Sequence, residues 1–197
     1  MGNNRVKYAY FRQGPVFMSL FKNKYRIESI RLPEYDYSTP GYYFITICTK
    51  NRENLFGEII HGKLIKTPSA KIVGRCWFDL PNHFRQCALD EFIIVPNHIH
   101  GIIVIPDNQT ITAVETGLKP VSTLADNANK RYSLSEMVRA FKTFSARRIN
   151  ELHNSTGQQF WQTGYYERII RNESELFHIR GYIKNNPINW GRDRNNI

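Results

Sequence analysis

The most informative stretch of the sequence runs Phe92-Ile93-Ile94-Val95-Pro96-Asn97-His98-Ile99-His100-Gly101-Ile102-Ile103-Val104-Ile105. Two runs rich in β-branched apolar residues flank Pro96-Asn97, which is typical of buried strands joined by a turn or a bulge. Successive side chains of a strand alternate between its faces, so His98 and His100 point the same way. Two imidazoles on a rigid strand favour a divalent metal site. The alternative is that one histidine is buried and hydrogen-bonded while the other faces solvent.

The segments before this stretch predict strands, a hairpin and one helix. Residues 42–49 and 91–95 have the apolar, β-branched character of core strands, and residues 55–66 read as a hairpin that turns near 61–63. A helix is expected from an N-cap at Ser69 to about Leu80, where Pro81 would end it.

Two further helices are expected in the second half of the chain. Ser133 and Glu136 form a capping box that opens a helix through about Leu152. Its predicted buried face consists of Leu134, Met137, Val138, Phe141, Phe144, Ser145 and Ile149. The last helix begins between Asn172 and Glu175 and closes at Asn186-Pro187. This order of elements predicts an α+β fold, in which a small antiparallel sheet is covered on one face by helices.

The charge balance points to a polyanionic partner. The chain of 197 residues has 27 basic and 17 acidic side chains, a formal net charge of +10, and an aromatic content of 13%. Lysine and arginine bind phosphates with release of counterions, and aromatic rings stack on unpaired bases, so nucleic acid is the expected partner. The residues assigned to phosphate binding are Arg139, Lys142, Arg147, Arg148 and Lys184, although a plain solvated helix face would have the same composition.

One domain, residues 31–197, is expected, preceded by a basic aromatic arm at residues 1–30 and interrupted by a flexible insertion at residues 106–131. The three cysteines form no CxxC pair, which argues against a zinc knuckle or a disulfide framework. No apolar run approaches the roughly 18 residues that cross a bilayer. These features predict a cytoplasmic protein with no membrane partner.

Tyr182 and Asn186 share a helix face at positions i and i+4, which pairs a phenol with an amide. A phenol has a pKa of about 10 and needs a neighbouring cation or base to act as a nucleophile. An ion held by His98 and His100 could supply that assistance and neutralise charge on a phosphate. A packing role is the alternative for a tyrosine at the end of a helix.

Several motifs resemble, in the right order, those of the REP-associated tyrosine transposases, which are relatives of the single-tyrosine insertion-sequence transposases. They are the run at 31–37, the strand at 43–49, Val95-Pro96-Asn97-His98-Ile99-His100-Gly101, the aromatic segments at 160–162 and 165–167, and Tyr182-Ile183 with Asn186-Pro187. The resemblance covers residues from about 31 to 190. It implies a ferredoxin-like (RRM-like) domain of the HUH endonuclease class, in which the middle residue, here Ile99, is hydrophobic.

The resemblance also implies roles for individual residues. His98 and His100 would bind Mg²⁺ or Mn²⁺, Tyr182 would be the nucleophile, and Asn186 would complete the metal site. Proline at 187 favours extended angles at Asn186, so His178 or a water molecule is an alternative candidate for the third ligand.

The activity so implied is metal-dependent cleavage and rejoining of single-stranded DNA at hairpin-forming repeats, through a phosphotyrosine intermediate. Relatives of this kind resemble either monomers or homodimers. Two other functions remain open: a domesticated, catalytically silent module that binds DNA hairpins, and a metal hydrolase that uses water and leaves Tyr182 dispensable.

Overall fold

The computed structural model describes residues 35–107, 130–193 and 195–196, and the backbone of two short strands, β1 (Met18–Phe21) and β2 (Lys24–Ile27). The chain divides into two compact units, Met1–Glu34 and Tyr35–Ile197. In the first unit, β1 and β2 pair as an antiparallel hairpin. The rest of the predicted arm and most of the predicted insertion at 106–131 lie outside the described residues.

The second unit is built on a four-stranded antiparallel sheet. Numbered along the chain, the strands of this unit are β3 (Gly41–Cys48), β4 (Gly57–Ile60), β5 (Lys63–Lys66), β6 (Ala88–Val95), β7 (His98–Ile105) and β8 (Tyr166–Ile170). The main sheet has the order β6-β7-β3-β8, while β4 and β5 pair only with each other. The strands and the hairpin expected from the apolar runs are therefore confirmed.

Four helices accompany these strands: α1 (Pro68–Phe78), α2 (Leu80–His83), α3 (Leu134–Leu152) and α4 (Glu173–Asn185). The connection β3-α1-β6-β7-α3-β8, combined with the strand order, is the ferredoxin-like arrangement. The expected α+β class is confirmed, and α4 is an addition that follows the last strand.

The start of α1 differs from the prediction. Its N-cap is Thr67, whose hydroxyl accepts a hydrogen bond from the Ala70 amide at 3.2 Å. Ser69 lies in the first turn instead, where its hydroxyl bonds the imidazole of His153 at 2.9 Å. The helix ends at Phe78, and Pro81 lies in the first turn of α2, where the missing backbone N–H breaks no helical bond.

The start of α3 agrees with the prediction, because Ser133 and Glu136 form a reciprocal capping box. Its buried face also agrees, except at Phe144, whose side chain is 39% exposed and stacks on His83. Phe144 lies at the edge of the apolar stripe, beyond the reach of the sheet.

Side chains that alternate along β3 divide the sheet into two faces. Tyr43, Ile45 and Ile47 pack against α1 and α3 in the larger apolar core. Phe44 packs on the other side with Ile102, Ile170 and the apolar stripe of α4, formed by Leu176, Ile179 and Ile183. The prediction of helices on one face is thus wrong in that detail, since α4 covers apolar side chains that would otherwise be exposed on the second face.

Gly101 of β7 lies under the ring of Trp77. A Cβ at position 101 would lie 2.4 Å from a carbon of that ring, so only glycine lets Trp77 cross the strand and stack on Phe92. Trp77 therefore packs across β7 on the face opposite the two histidines.

Within the ranges that the structure describes, no helix has both the length and the hydropathy to cross a membrane. The cytoplasmic location stays a prediction.

Candidate active site

Strand β7 presents His98 and His100 side by side on the face covered by α4. Their side chains are 0% and 2% exposed, and their Nε2 atoms are 2.9 Å apart. The prediction that both side chains point to the same face of the strand is confirmed, and both histidines are buried. The alternative in which one of them faces solvent is wrong.

Each imidazole is oriented by a hydrogen bond at its Nδ1 atom. The side-chain oxygen of Asn97 lies 2.8 Å from Nδ1 of His98, and the hydroxyl of Thr46 lies 2.8 Å from Nδ1 of His100. The Asn97 amide nitrogen donates to the carbonyl oxygens of Arg52 and Asn195, which fixes its oxygen towards His98. Because that oxygen accepts, Nδ1 of His98 carries the proton and Nε2 has a lone pair for a ligand.

Helix α4 brings Tyr182 to the same point. Its hydroxyl lies 3.2 Å from Nε2 of His100, and its side chain is 46% exposed, so the phenol is both positioned and open to solvent. Phe44 stacks on His100 and meets Tyr182 edge-on, with ring centroids 5.4 Å and 6.1 Å away. The structure thus brings Tyr182 and the two histidines together, and the roles assigned to them stay predictions.

Asn186 is one turn beyond Tyr182 and is buried. Its backbone has helical angles, φ −58° and ψ −43°, in spite of the proline that follows, so the expectation of extended angles is wrong. Its amide nitrogen donates to Oδ2 of Asp193 at 2.9 Å. Its side-chain oxygen is buried and has no hydrogen-bond partner among the described residues.

Asp193 is the residue of this site that sequence reasoning missed. A single turn at Trp190–Arg192 returns the chain to the sheet and brings Oδ2 of Asp193 to 3.9 Å from Nε2 of His98. The available signal was that Asp193 is the one acid after Glu175 in the sequence. His178, the other candidate for the third ligand, is exposed and bonds the Ser174 carbonyl on its own helix.

The donor set fits a divalent cation. The ligand atoms of His98, His100 and Asp193 all lie within 4.8 Å of one another. Asn186 contacts this group through its amide nitrogen, and its role as a metal ligand stays a prediction. Two nitrogens about 2.1 Å from one ion and at right angles about it are about 3 Å apart, which matches the 2.9 Å between the two Nε2 atoms. Imidazole suits softer divalent ions, whereas a carboxylate suits Mg²⁺ and Mn²⁺, so this mixed donor set does not by itself select the ion.

Two ion pairs fasten α4 to β6 on either side of Tyr182. Arg180 makes a two-pronged bond to Asp90, with distances of 2.9 Å and 2.5 Å, and Lys184 lies 2.7 Å from Glu91. The hydrogen bond from Arg180 lowers the pKa of Asp90, and that bond raises the pKa of Arg180.

A bulge in β6 explains why consecutive acids both reach α4. Leu89 pairs with Ile103 and Phe92 pairs with Gly101. Between these two pairs β6 therefore contains one more residue than β7. Consecutive residues of a regular strand point to opposite faces, and a bulge removes that alternation locally. Asp90 and Glu91 form the bulge and share the α4 side.

The residues assigned to phosphate binding do not meet at this site. Four of them are on α3, across the sheet: Arg139, Lys142, Arg147 and Arg148. Lys142 donates to the carbonyl oxygens of Gln162 and Gly164, and burial lowers its pKa. Arg148 donates to the sulfur of Cys76, Arg147 pairs with Glu151, and Arg139 is exposed.

The side-chain contacts of these five residues bear differently on the prediction that each of them binds phosphate. Lys142 holds a loop through its two hydrogen bonds, and its contact with DNA stays a prediction. Lys184 is on the α4 face but is paired with Glu91. DNA contacts by Arg139, Arg147 and Arg148 stay predictions.

A ferredoxin-like sheet with a histidine pair on a central strand and a tyrosine brought to it by a following helix defines the HUH class of fold. The family model described as "Transposase IS200 like" matches residues 124–186, which include α3, β8, α4, Tyr182 and Asn186. This part of the chain is therefore similar to the IS200-like transposases.

Three individual proteins are also similar to this chain. The chain is 40% identical to an uncharacterized protein of Haemophilus influenzae over 169 residues, which is 84% of this chain and 91% of that protein. The fold of the present chain is similar to that of a REP-associated tyrosine transposase bound to a REP hairpin. The TM-score is 0.54 and the identity 17%, and the match covers 84% of this chain and 77% of the other. A putative transposase from Deinococcus radiodurans R1 also matches, with a TM-score of 0.43, 17% identity, and coverage of 80% and 97%.

Proposed function

We propose that this protein is a metal-dependent endonuclease and strand transferase that acts on single-stranded DNA through a covalent phosphotyrosine at Tyr182. The observation that carries the proposal is the hydroxyl of Tyr182, 3.2 Å from Nε2 of His100 in a cluster of metal-ligand side chains. The packing role that was open for Tyr182 does not account for a side chain that is 46% exposed with its hydroxyl aimed at buried histidines.

His98, His100 and Asp193 would hold Mg²⁺ or Mn²⁺, with Asn186 as a further oxygen ligand. When bound, the ion neutralises charge on the phosphate that reacts. Thr46 and Asn97 keep the imidazoles in position through their Nδ1 atoms, so little ordering remains when a ligand arrives.

The reaction at Tyr182 is an exchange of one phosphate ester for another. The phenol oxygen forms a bond to phosphorus and loses its proton, while the bond from phosphorus to the departing sugar oxygen breaks and that oxygen gains a proton. The products are a phosphotyrosine and a free hydroxyl end, and attack by a hydroxyl on the phosphotyrosine reseals a strand. Partial exposure of Tyr182 leaves room for the strand to approach.

The proposed substrate is a single-stranded DNA hairpin. The net charge of +10 favours a polyanion, and the solved relative of similar fold is described as bound to a REP hairpin.

The test is denaturing gel electrophoresis of labelled single-stranded hairpins, taken from the flanks of the gene, after incubation with the protein and Mn²⁺ or Mg²⁺. We expect an adduct that survives denaturation, requires metal, and is absent with Tyr182→Phe. Tyr166→Phe is the matched control, because Tyr166, like Tyr182, packs against Phe44 and its variant should still form the adduct.

Each of the rival functions has its own outcome in this experiment. Free cleavage products at equal rates in the wild type and in Tyr182→Phe would contradict the covalent mechanism and favour the metal hydrolase. Tight hairpin binding with neither adduct nor cleavage would favour the catalytically silent binding module.

A further inference from the structure

A groove of about 640 Å³ lies between the β4–β5 hairpin and the C-terminal segment. Its lining residues are Asn54, Gly57, Glu58, Ile59, Ile65, Lys66, Thr67, Pro96 and Trp190. Gly62, in the turn of the hairpin, lies against Ile188 of the C-terminal segment, and a Cβ there would be 3.3 Å from that side chain. The two walls are therefore in contact at the hairpin turn.

Trp190 joins this groove to the active site. Its indole lines the groove, and its ring centroid is 5.7 Å from that of His98. The chain continues from Trp190 into Asp193, which is beside the same histidine. A phosphate held at the histidines would consequently lie close to Trp190, which forms part of the wall of the groove.

The lining has the chemistry of a nucleobase site. Ile59, Ile65 and Pro96 supply apolar surface, and Trp190 supplies a ring for stacking. Glu58, the acid of the lining, repels phosphate but accepts hydrogen bonds from the amino groups of base edges. Lys66 supplies a cation for the flanking backbone. Ile65 is 56% exposed, which gives the wall a large uncovered apolar surface.

We propose that this groove is a nucleobase subsite, in which an unpaired base next to the scissile phosphate stacks on Trp190. The inference rests on the proposed function, because it takes the histidines as the place of the scissile phosphate. It adds a specificity determinant for the cleavage position, which the residues around the histidines do not supply.

Tryptophan fluorescence gives a direct test, because Trp77 and Trp161 are 0% and 3% exposed whereas Trp190 is partly exposed. The protein is Tyr182→Phe, which binds without cleavage, and the probes are single-stranded hairpins in which one abasic nucleotide is moved along the unpaired flank. We expect intact DNA to quench the fluorescence, and removal of the base at one position to weaken binding about tenfold.

Two further variants show whether the groove is responsible. In Trp190→Ala we expect the intact and the abasic hairpin to bind equally, whereas Trp190→Phe retains most of the difference. Ile65→Asp, on the exposed opposite wall, should also remove the difference without disturbing the core. Equal losses at every abasic position, or an unchanged position dependence in both variants, would overturn the subsite.

The outcome is separable from that of the proposed function. A position-dependent loss of binding in Tyr182→Phe, with no covalent adduct in the wild type, would keep the subsite and reject the phosphotyrosine. A covalent adduct in the wild type, with binding that does not depend on the position of the abasic nucleotide, would keep the phosphotyrosine and reject the subsite.

Discussion

One face of the sheet, under α1 and α3, is filled by apolar side chains, whereas the opposite face, under α4, carries both histidines and Asn186 beside a smaller apolar cluster. On the first face, Trp77, Phe141 and Trp161 interlock with their rings in contact. On the second face, buried polar atoms are placed by hydrogen bonds, and α4 is held in part by ion pairs.

The difference teaches how the stability and the chemistry of this molecule are divided. Buried polar groups cost free energy unless they are bonded, so a face that carries them cannot also be the main source of stability. The first face supplies most of the hydrophobic stabilisation, although the buried indole N–H of Trp77 has no hydrogen-bond partner in the described chain. On the second face the amide oxygen of Asn186 is also without such a partner. Substitutions on the two faces should consequently affect different properties.

The largest effect is expected from Tyr182→Phe on the second face, which should abolish the covalent adduct. The free energy of unfolding should change by less than about 1 kcal/mol, because the bond of the hydroxyl to His100 is long, at 3.2 Å, and the side chain is 46% exposed. Urea unfolding and the adduct assay on the same preparation measure both quantities. Loss of the adduct together with a large loss of stability would mean that the hydroxyl is structural.

The opposite pattern is expected for Trp77→Ala on the first face. Trp77 is fully buried and crosses Gly101, so its removal should cost about 3–5 kcal/mol out of a total of about 5–15 kcal/mol. Urea unfolding again gives the value. At a temperature where the variant is folded, its adduct should form at close to the wild-type rate, and a selective loss of adduct formation would contradict the division between the faces.

Asp193→Asn should weaken Mn²⁺ binding about tenfold, because it removes the carboxylate near His98. The measurement is the melting temperature as a function of Mn²⁺ concentration, compared between the variant and the wild type. A ligand that binds only the folded state stabilises it by mass action, so weaker binding shifts the rise to higher Mn²⁺ concentrations. Asp36→Asn, on an exposed turn, is the matched control. Equal Mn²⁺ dependence in both variants would remove Asp193 from the metal site.

Asp90→Asn should have a smaller effect, a loss of about 1 kcal/mol, because Arg180 is 38% exposed and solvent screens the pair. Since the bond to Arg180 lowers the pKa of Asp90, the stabilisation is present at neutral pH and lost as the pH falls through that lowered value. Unfolding at pH 7 and in acid should show the difference between variant and wild type shrinking. If the difference in the free energy of unfolding between variant and wild type persists in acid, the ion pair between Asp90 and Arg180 is not its cause.

Lys184→Gln is the matched comparison for Asp90→Asn, and we expect it to cause the smallest loss of stability among these variants. The pair of Lys184 with Glu91 is 63% and 29% exposed, so its loss should cost well below about 1 kcal/mol. A larger loss than that of Asp90→Asn would mean that the second ion pair, rather than the first, holds α4 in place.

Sequence reasoning succeeded where the signal is local. The strand of His98 and His100, the capping box at Ser133 and the helix of Tyr182 each follow from side-chain periodicity or from residues three positions apart. The approach of Tyr182 to the histidines depended on the resemblance to a known family, because no local pattern reports which helix crosses which strand.

The misses involve contacts between distant parts of the chain. Asp193 reaches His98 only because the segment after Pro187 turns back to the sheet, and nothing in its flanking arginines indicates that return. The placement of α4 on the second face depends on which apolar surface is still uncovered once α1 and α3 have packed. Lys142 is basic by composition but becomes a loop anchor through two carbonyl oxygens that are 20 and 22 residues away in sequence.

The central claim is that the second face of a single chain is a complete site for covalent cleavage. It is tested most directly by mixing Tyr182→Phe with His100→Ala and assaying the mixture for adduct with a labelled hairpin and Mn²⁺. We expect no adduct from the mixture and a strong one from the wild type, since the tyrosine and the histidines that it serves come from the same chain. Restored adduct in the mixture would contradict the claim, because the tyrosine of one chain would then be serving the histidines of another.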